Sequence, residues 1–470
     1  MLGNITISPL ARATAVADPQ IREVRNLKSG QIIEARRFIQ RVRYDRFVQV
    51  RSQIKEAMDA GRPRVACAIC GTPVYLVSSP DKKFFFRHRI EDGSCPAQTR
   101  NGLSEDDIRA MKYKGAQESE AHRRVKALIE RSLRADTRFE MIQVETSWRS
   151  KRDPTSLRRP DVQARFNKLR IAFEAQLSTT FLDVVIGRKS FYRAEGGLLV
   201  WVLRHFDPDY RKLTTDDILF NNNSNIIIVN NSSTEASESS GRLMLQCAFR
   251  RTVLKADDLV AVWENKLVAW DDLTLDLVNQ RIFAFDTEGE ESRLIRERNA
   301  ALADQRNSRD KDLRNQLLSV AASREEIKDW KAHSIVWNTL KLQFEEHGFS
   351  LPGDYEIDQR FRNIICGITS ALEGHPIGYG FLKLIQVAHH LADHFPEALL
   401  PFGYALRISE RDDVLQNEDK NGRWDRKAKI HRDAIRAGDP TYRLSDELRA
   451  VLSFLFPNLS KSLNPILLSA

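Results

Sequence analysis

The chain has 470 residues, 73 Lys plus Arg against 64 Asp plus Glu, a formal charge of +9 and 42% hydrophobic residues. That length holds about two to four domains with well-buried cores, and a pI near 9.3 favours an anionic partner such as nucleic acid. No apolar run reaches the roughly 18 to 20 residues that cross a bilayer, and MLGNITISPLARATAVADPQ lacks the charged start and apolar core of a secretory signal. A cytoplasmic protein with no membrane attachment is therefore expected.

In chain order, the Arg-rich stretch from Gln31 to Ala60 reads in its second half as a helix that Gly61 ends. A cysteine module follows from Val65. Cys67 and Cys70 form a Cys-x2-Cys turn that lets two sulfurs face one ion, and His88 and Cys95 supply a second pair. The four fit a tetrahedral Cys3His zinc site on a small hairpin made of VYLV (74–77) and KFFF (83–86). Four protein ligands leave no open position, so this zinc would be structural. A buried Cys pair beside an ordinary His is the plainer alternative. The five cysteines are an odd number, which suits a reduced compartment better than a disulfide framework.

From Ser104 to Leu133 the acidic start and the run HRRVKALIERSL predict helix in two pieces divided at Gly115. The period then changes to two: MIQVETSW (141–148), RPDVQARF (159–166) and RIAFEAQL (170–177) read as strands, with a tight turn at Asn167 and Lys168. A helix over 179–194, a Gly-Gly break and the strand LLVWVL (198–203) complete an α/β core. Ile226 to Val229 reads as a short strand, the polar stretch NNSSTEASESSGR (230–242) as a mobile loop, and 259–285 as β-rich. From Glu291 the pattern is helical, a bundle of five or six helices with no catalytic signature. The expected domains are an N-terminal segment (1–64), a zinc-finger-like module (65–103), an α/β core with a β extension (104–290) and a helical C-terminal domain (291–470).

Along the strand after the turn, Ile171, Phe173, Ala175 and Leu177 share one face, while Ala172, Glu174 and Gln176 share the other. Pairing of the two strands as a hairpin would bring Asp161 beside Glu174. Two carboxylates so close repel unless a cation lies between them, and such oxygens suit Mg2+ or Mn2+. Glu118, His122 and Lys126, spaced i, i+4, i+8, line one stripe of the preceding helix. Plain sheet-edge charges and a solvated helix stripe remain the bland alternative.

The succession ESEAHRRVKALI, RRPDV, IAFEAQLS, GRKSFYRAEGG and LLVWVL, behind a Cys-x2-Cys and His…Cys element, resembles the competence protein CoiA-like nucleases, a branch of the PD-(D/E)xK nuclease superfamily. It covers about Val65 to Leu203. The resemblance implies a restriction-endonuclease-like core, a mixed sheet flanked by helices. It implies that Asp161 and Glu174 bind the catalytic Mg2+ or Mn2+, that Glu118 is a further acidic residue, and that Gln176 stands where the superfamily usually has Lys. It also implies that His122, Lys126, Arg188 and Tyr192 lie near the cleft, and Arg159 beside Pro160 belongs with the substrate-binding set. The expected activity is metal-dependent hydrolysis of DNA, with RNA as the other substrate, in bacterial DNA processing or antiphage and mobile-element defence. A neutral Gln polarises water less than Lys does, so Lys126 is the expected substitute, and a non-cleaving nucleic-acid-binding protein is the alternative. The helical C-terminal half is the expected site for a protein partner or a second copy of the chain.

Overall fold

The computed structural model describes residues 6–91, 93, 95–99, 120–177, 182–256, 258–323, 330–352 and 359–460. The chain divides into two compact units, Met1–Arg298 and Asn299–Ala470.

The first unit opens with strands β1 (Glu23–Asn26) and β2 (Ile32–Glu34), helices α1 (Ala35–Gln40) and α2 (Tyr44–Asp59), and strand β3 (Val65–Cys67). Gly61, at φ +72°, turns the chain out of α2 in a left-handed conformation that glycine adopts without strain. These strands form a sheet in the order β2-β1-β3, so the start of the cysteine module is hydrogen-bonded to the N-terminal segment. Strands β4 (Val74–Ser78) and β5 (Phe84–His88) form the expected hairpin. Alternate hairpin residues Val74, Leu76, Phe84 and Phe86 enter one core with Ile39, Tyr44, Phe47 and Val48. Phe84 meets both Tyr44 and Phe47, which ties the module to α2.

The centre of the unit is a seven-stranded mixed sheet. In chain order come α3 (Glu120–Ala135), β6 (Phe139–Val144), the short β7 (Trp148–Arg149) and β8 (Leu157–Arg158), β9 (Val162–Phe166), β10 (Leu169–Ala175), α4 (Leu182–Ala194), β11 (Leu198–Leu203), α5 (Leu213–Asn221), β12 (Asn225–Ile228), α6 (Asn231–Ser240), β13 (Met244–Lys255) and β14 (Asp258–Ala269). The sheet order is β14-β13-β12-β11-β10-β9-β6. The β10–β11 and β11–β12 pairs are parallel, joined through α4 and α5, and the remaining pairs are antiparallel. On one face Val125, Leu128, Ile129 and Leu133 of α3 cover Ile171, Phe173, Val200 and Val202. On the other, Leu203, Ile226 and Ile228 join α2, α5 and the hairpin, while Ala172 and Leu199 pack on Trp148, Phe191 and Tyr192. Leu198, Val200 and Val202 alternate with Leu199 between the two faces, as buried parallel strands require.

Two local expectations change. The strand expected over 141–148 is broken, because Met141 and Glu145 take positive φ (50° and 51°) and the register with β9 shifts between Glu140 and Gln143. The polar stretch expected as a mobile loop at 230–242 is helix α6. Asn230 and Ser233 form a reciprocal capping box, Gly241 ends the helix at φ +67°, and Ser233, Thr234 and Ser237 are buried. Ser132 donates to the Thr234 hydroxyl at 2.9 Å, so the helix packs on α3 through small polar side chains. A two-stranded ribbon, β15 (Thr274–Asp276) with β16 (Arg281–Phe283), precedes helix α7 (Thr287–Ala322).

The second unit is helical. Beyond α7 the described residues hold α8 (Trp330–Glu346), α9 (Gln359–Glu373), α10 (Leu384–His394), α11 (Leu399–Ile408), α12 (Asp412–Glu418), α13 (Arg423–Arg436) and α14 (Asp446–Leu455). With α7, eight helices among the described residues exceed the five or six expected from Glu291, because Phe395–Pro396 and the Glu410–Arg411 turn divide what reads as longer runs. Leu317, Phe344, Ile364, Ile368, Leu391, Phe402 and Leu452 form its core.

Candidate functional site

Two constellations occupy the first unit. Cys67 ends β3, and the turn after it is held by hydrogen bonds from Gly71 N to Cys67 O (3.0 Å) and from Cys67 N to Thr72 O (2.9 Å), with Gly71 at φ +75°. This tight turn aims Cys67 and Cys70 the same way. Ligand atoms of Cys67, Cys70, His88 and Cys95 all lie within 4.8 Å of one another. Sulfurs around a tetrahedral zinc are roughly 3.8 Å apart, from a Zn–S distance of about 2.3 Å. The donor chemistry and the spacing both fit zinc. His88 Nε2 lies 3.4 Å from Cys70 Sγ, while Nδ1 lies 3.4 Å from Glu91 Oε1. Glu91 in turn accepts from the Thr99 hydroxyl at 2.6 Å and from the Thr99 amide. Sequence reasoning missed this carboxylate. Its signal was its place three residues after the ligand His, since metal-bound histidines commonly give their second nitrogen to a carboxylate.

The second constellation lies at the ends of β9 and β10. Val162 pairs with Phe173 at the end of the antiparallel ladder, and Asp161 and Glu174 are the next residue beyond that pair on each side. Asn167, at φ +54°, supplies the left-handed residue of the connecting turn. Asp161 Oδ2 accepts from the Ala175 amide at 2.8 Å, and Oδ1 lies 3.1 Å from His122 Nε2. Glu174 is 1% exposed, accepts from the Tyr192 hydroxyl at 3.0 Å and is ion-paired with Arg188. Arg188 and Tyr192 sit one turn apart on α4, so one face of that helix holds both donors over Glu174. Burial pushes the Tyr192 phenol up, which keeps its proton in place for that bond at neutral pH. Gln176 follows β10, is half-buried, and its backbone N–H donates to Val202 O at 2.8 Å.

Lys126 is 5% exposed and bonds Glu145 Oε1 at 2.5 Å. Arg159 reaches the same residue, at 2.5 Å to its carbonyl and 3.0 Å to Oε2. The Lys126 bond holds the Glu145 carboxyl below its ordinary value despite the opposing effect of burial. Glu145 therefore joins the constellation as a residue that sequence reasoning read only as part of a strand; its signal was an acidic side chain where the alternation fails. Glu118 lies outside the described residues. Among those described, the Cys67, Cys70, His88 and Cys95 group is the one set of three or more Cys, His, Asp or Glu ligands gathered within 4.8 Å. Among the described residues no third Cys, His, Asp or Glu ligand atom joins Asp161 and Glu174 within that distance.

Two features fix the wall beside Glu174. Trp148 packs edge-on to Tyr192 at 5.1 Å between ring centres, and the Arg170 guanidinium stacks 3.8 Å above the Trp148 ring. A Cβ at Gly197 would come within 2.5 Å of that ring, so only glycine lets β11 begin there.

Residues 30–102 match the family described as Domain of unknown function (DUF7830), and residues 105–288 match that described as Domain of unknown function (DUF6035). No curated protein and no solved structure matches the chain. The boundary between the two matches falls between the cysteine module and the α/β core. No described helix is long and apolar enough to cross a membrane.

Proposed function

We propose that the first unit is a metal-dependent phosphodiesterase acting on DNA, with a structural zinc in its cysteine module. The observation that supports the reading is that Asp161, just before β9, takes the Ala175 amide next to Glu174 and lies 3.1 Å from His122 of α3. Their hard carboxylate oxygens suit Mg2+ or Mn2+. The metal, when bound there, would act as a Lewis acid on the scissile phosphate and lower the pKa of a water. The chain's own residues do the rest. Tyr192 and Arg188 hold Glu174 in one orientation, and the Ala175 amide fixes Asp161. Gln176, on the Glu174 face, orients the attacking water as an amide without charge. Lys126 and Arg159, both on Glu145, supply positive charge toward the phosphate.

A second reading, a nuclease-like fold that binds nucleic acid without cutting it, draws on two observations. Gln176 replaces the usual Lys, and Glu174 already has its charge balanced by Arg188. Incubation of the full chain with supercoiled plasmid and Mg2+ or Mn2+ separates the two. Nicking or linearisation that Asp161→Asn and Glu174→Gln abolish supports the nuclease. Intact plasmid at protein excess, with binding retained, supports the second reading and ends the first.

A further inference from the structure

A surface recess of about 470 Å3 is lined by Arg12, Glu34, Arg36, Arg37, Gln40 and Arg41. Four arginines and one carboxylate leave it with a net charge of +3, and no apolar side chain lines it. Its construction follows from α1. Ala35 and Ile39, one turn apart, are fully buried, and Phe38 packs on Phe86 of the β4–β5 hairpin at 5.5 Å. The same helix therefore turns Arg36, Arg37 and Gln40 to solvent, and Arg41 follows at its end. Arg12 closes the recess by donating to Gln40 O at 3.1 Å.

None of these four arginines is ion-paired to a described residue, whereas several more buried arginines of the unit are. Arg43, Arg46, Arg51, Arg138 and Arg250 each pair with a carboxylate. Arg36, Arg37 and Arg41 are exposed, and their side chains make no ion pair or hydrogen bond to a described residue. Gathering four like charges against one counter-charge raises the energy of the folded chain unless an anion shares the site, and a concave surface focuses their field. Guanidinium forks match phosphate oxygens in a bidentate way that lysine cannot. Three net charges side by side exceed what one phosphate balances, and no apolar residue lines the recess to seat a lipid chain. We propose that this recess binds the phosphate backbone of nucleic acid and positions it on the protein. The inference names the partner of the reading above and rests on it only for the choice of nucleic acid.

The test is fluorescence anisotropy with a labelled 30-base-pair DNA and its single strand, using the full chain in magnesium-free buffer. Arg36→Ala/Arg37→Ala/Arg41→Ala is expected to weaken binding roughly ten- to a hundred-fold near 0.1 M salt and to flatten the dependence of log K on log salt by about two to three. A control triple, Arg293→Ala/Arg432→Ala/Arg436→Ala, removes the same charge from arginines that already have acidic partners and is expected to shift binding less than about three-fold. Arg36→Lys/Arg37→Lys/Arg41→Lys, which keeps the charge but not the fork, should restore the salt dependence and part of the affinity, and guards against a folding defect. Equal effects of the two Ala triples, absent DNA binding by the unsubstituted chain, or tighter binding of polyglutamate than of DNA would each overturn the proposal. Patch-dependent binding without plasmid cleavage leaves this inference standing and removes the nuclease; cleavage that the patch triple does not alter does the reverse.

Discussion

His88 Nδ1 lies 3.4 Å from Glu91 Oε1, and the other ring nitrogen of the same histidine faces Cys70. A carboxylate in this place fixes which nitrogen is free to bind metal and raises its basicity. Glu91→Ala is therefore expected to leave zinc stoichiometry at one per chain at saturating metal while weakening affinity about ten- to a hundred-fold. Chelator competition measures this. Unchanged affinity would show that Glu91 serves only Thr99. Because Cys67 and Cys95 also enter the core with Val24 and Phe86, removing zinc is expected to lower the thermal midpoint of the first unit.

Gln176 stands two positions beyond Glu174, just past the end of β10, where alternation would put both side chains on one face. Gln176→Lys is expected to raise the rate of plasmid cleavage about ten- to a hundred-fold with Mn2+, because a full charge stabilises the developing negative charge better than an amide. Glu174→Gln in that background should remove the gain. A Gln176→Lys chain no faster than the unsubstituted one, under conditions where cleavage is measurable, would place the water-orienting role elsewhere.

The α/β core was legible because its signals are local: alternation set the faces of β10, and the Asn-Lys turn set the hairpin register that pairs Val162 with Phe173. Glu145 was not legible, since it becomes a partner of Lys126 and Arg159 only through a strand break at positive φ that alternation does not foretell. Helix α6 was hidden for a related reason. Its Ser and Thr residues read as solvent-loving, yet Ser233, Thr234 and Ser237 are buried against α3 and β13 through hydrogen bonds. The cap was present in the sequence as Asn230 and Ser233 and was outweighed by composition. Asn230→Ala removes the acceptor for the Ser233 amide and is expected to destabilise the first unit by about 1 kcal/mol, as read from urea midpoints. No change in the midpoint would mean that packing on α3 alone fixes the helix.

Asp136 ties the end of α3 to the start of the β13 segment. It is 1% exposed, pairs with Arg138 at 2.7 Å and accepts from the Leu243 amide at 2.9 Å. The hydrogen bonds from Arg138 hold its carboxyl down at about 2, below the ordinary 3.8, against the upward pull of burial. A carboxyl depressed in the folded state stabilises the fold above its unfolded value and loses that contribution as pH falls through the folded one. Asp136→Asn is therefore expected to destabilise the first unit by about 1–3 kcal/mol at pH 7. The difference from the unsubstituted chain should stay constant down to the ordinary value near 3.8 and shrink between there and about 2. Urea midpoints for both chains across this range test the point, and comparing the two cancels acid effects on other carboxylates. A difference that stays constant to pH 2 would mean that the Asp136 carboxylate contributes through its shape and neutral hydrogen bonds, and that the Arg138 charge adds nothing to the tie between α3 and β13.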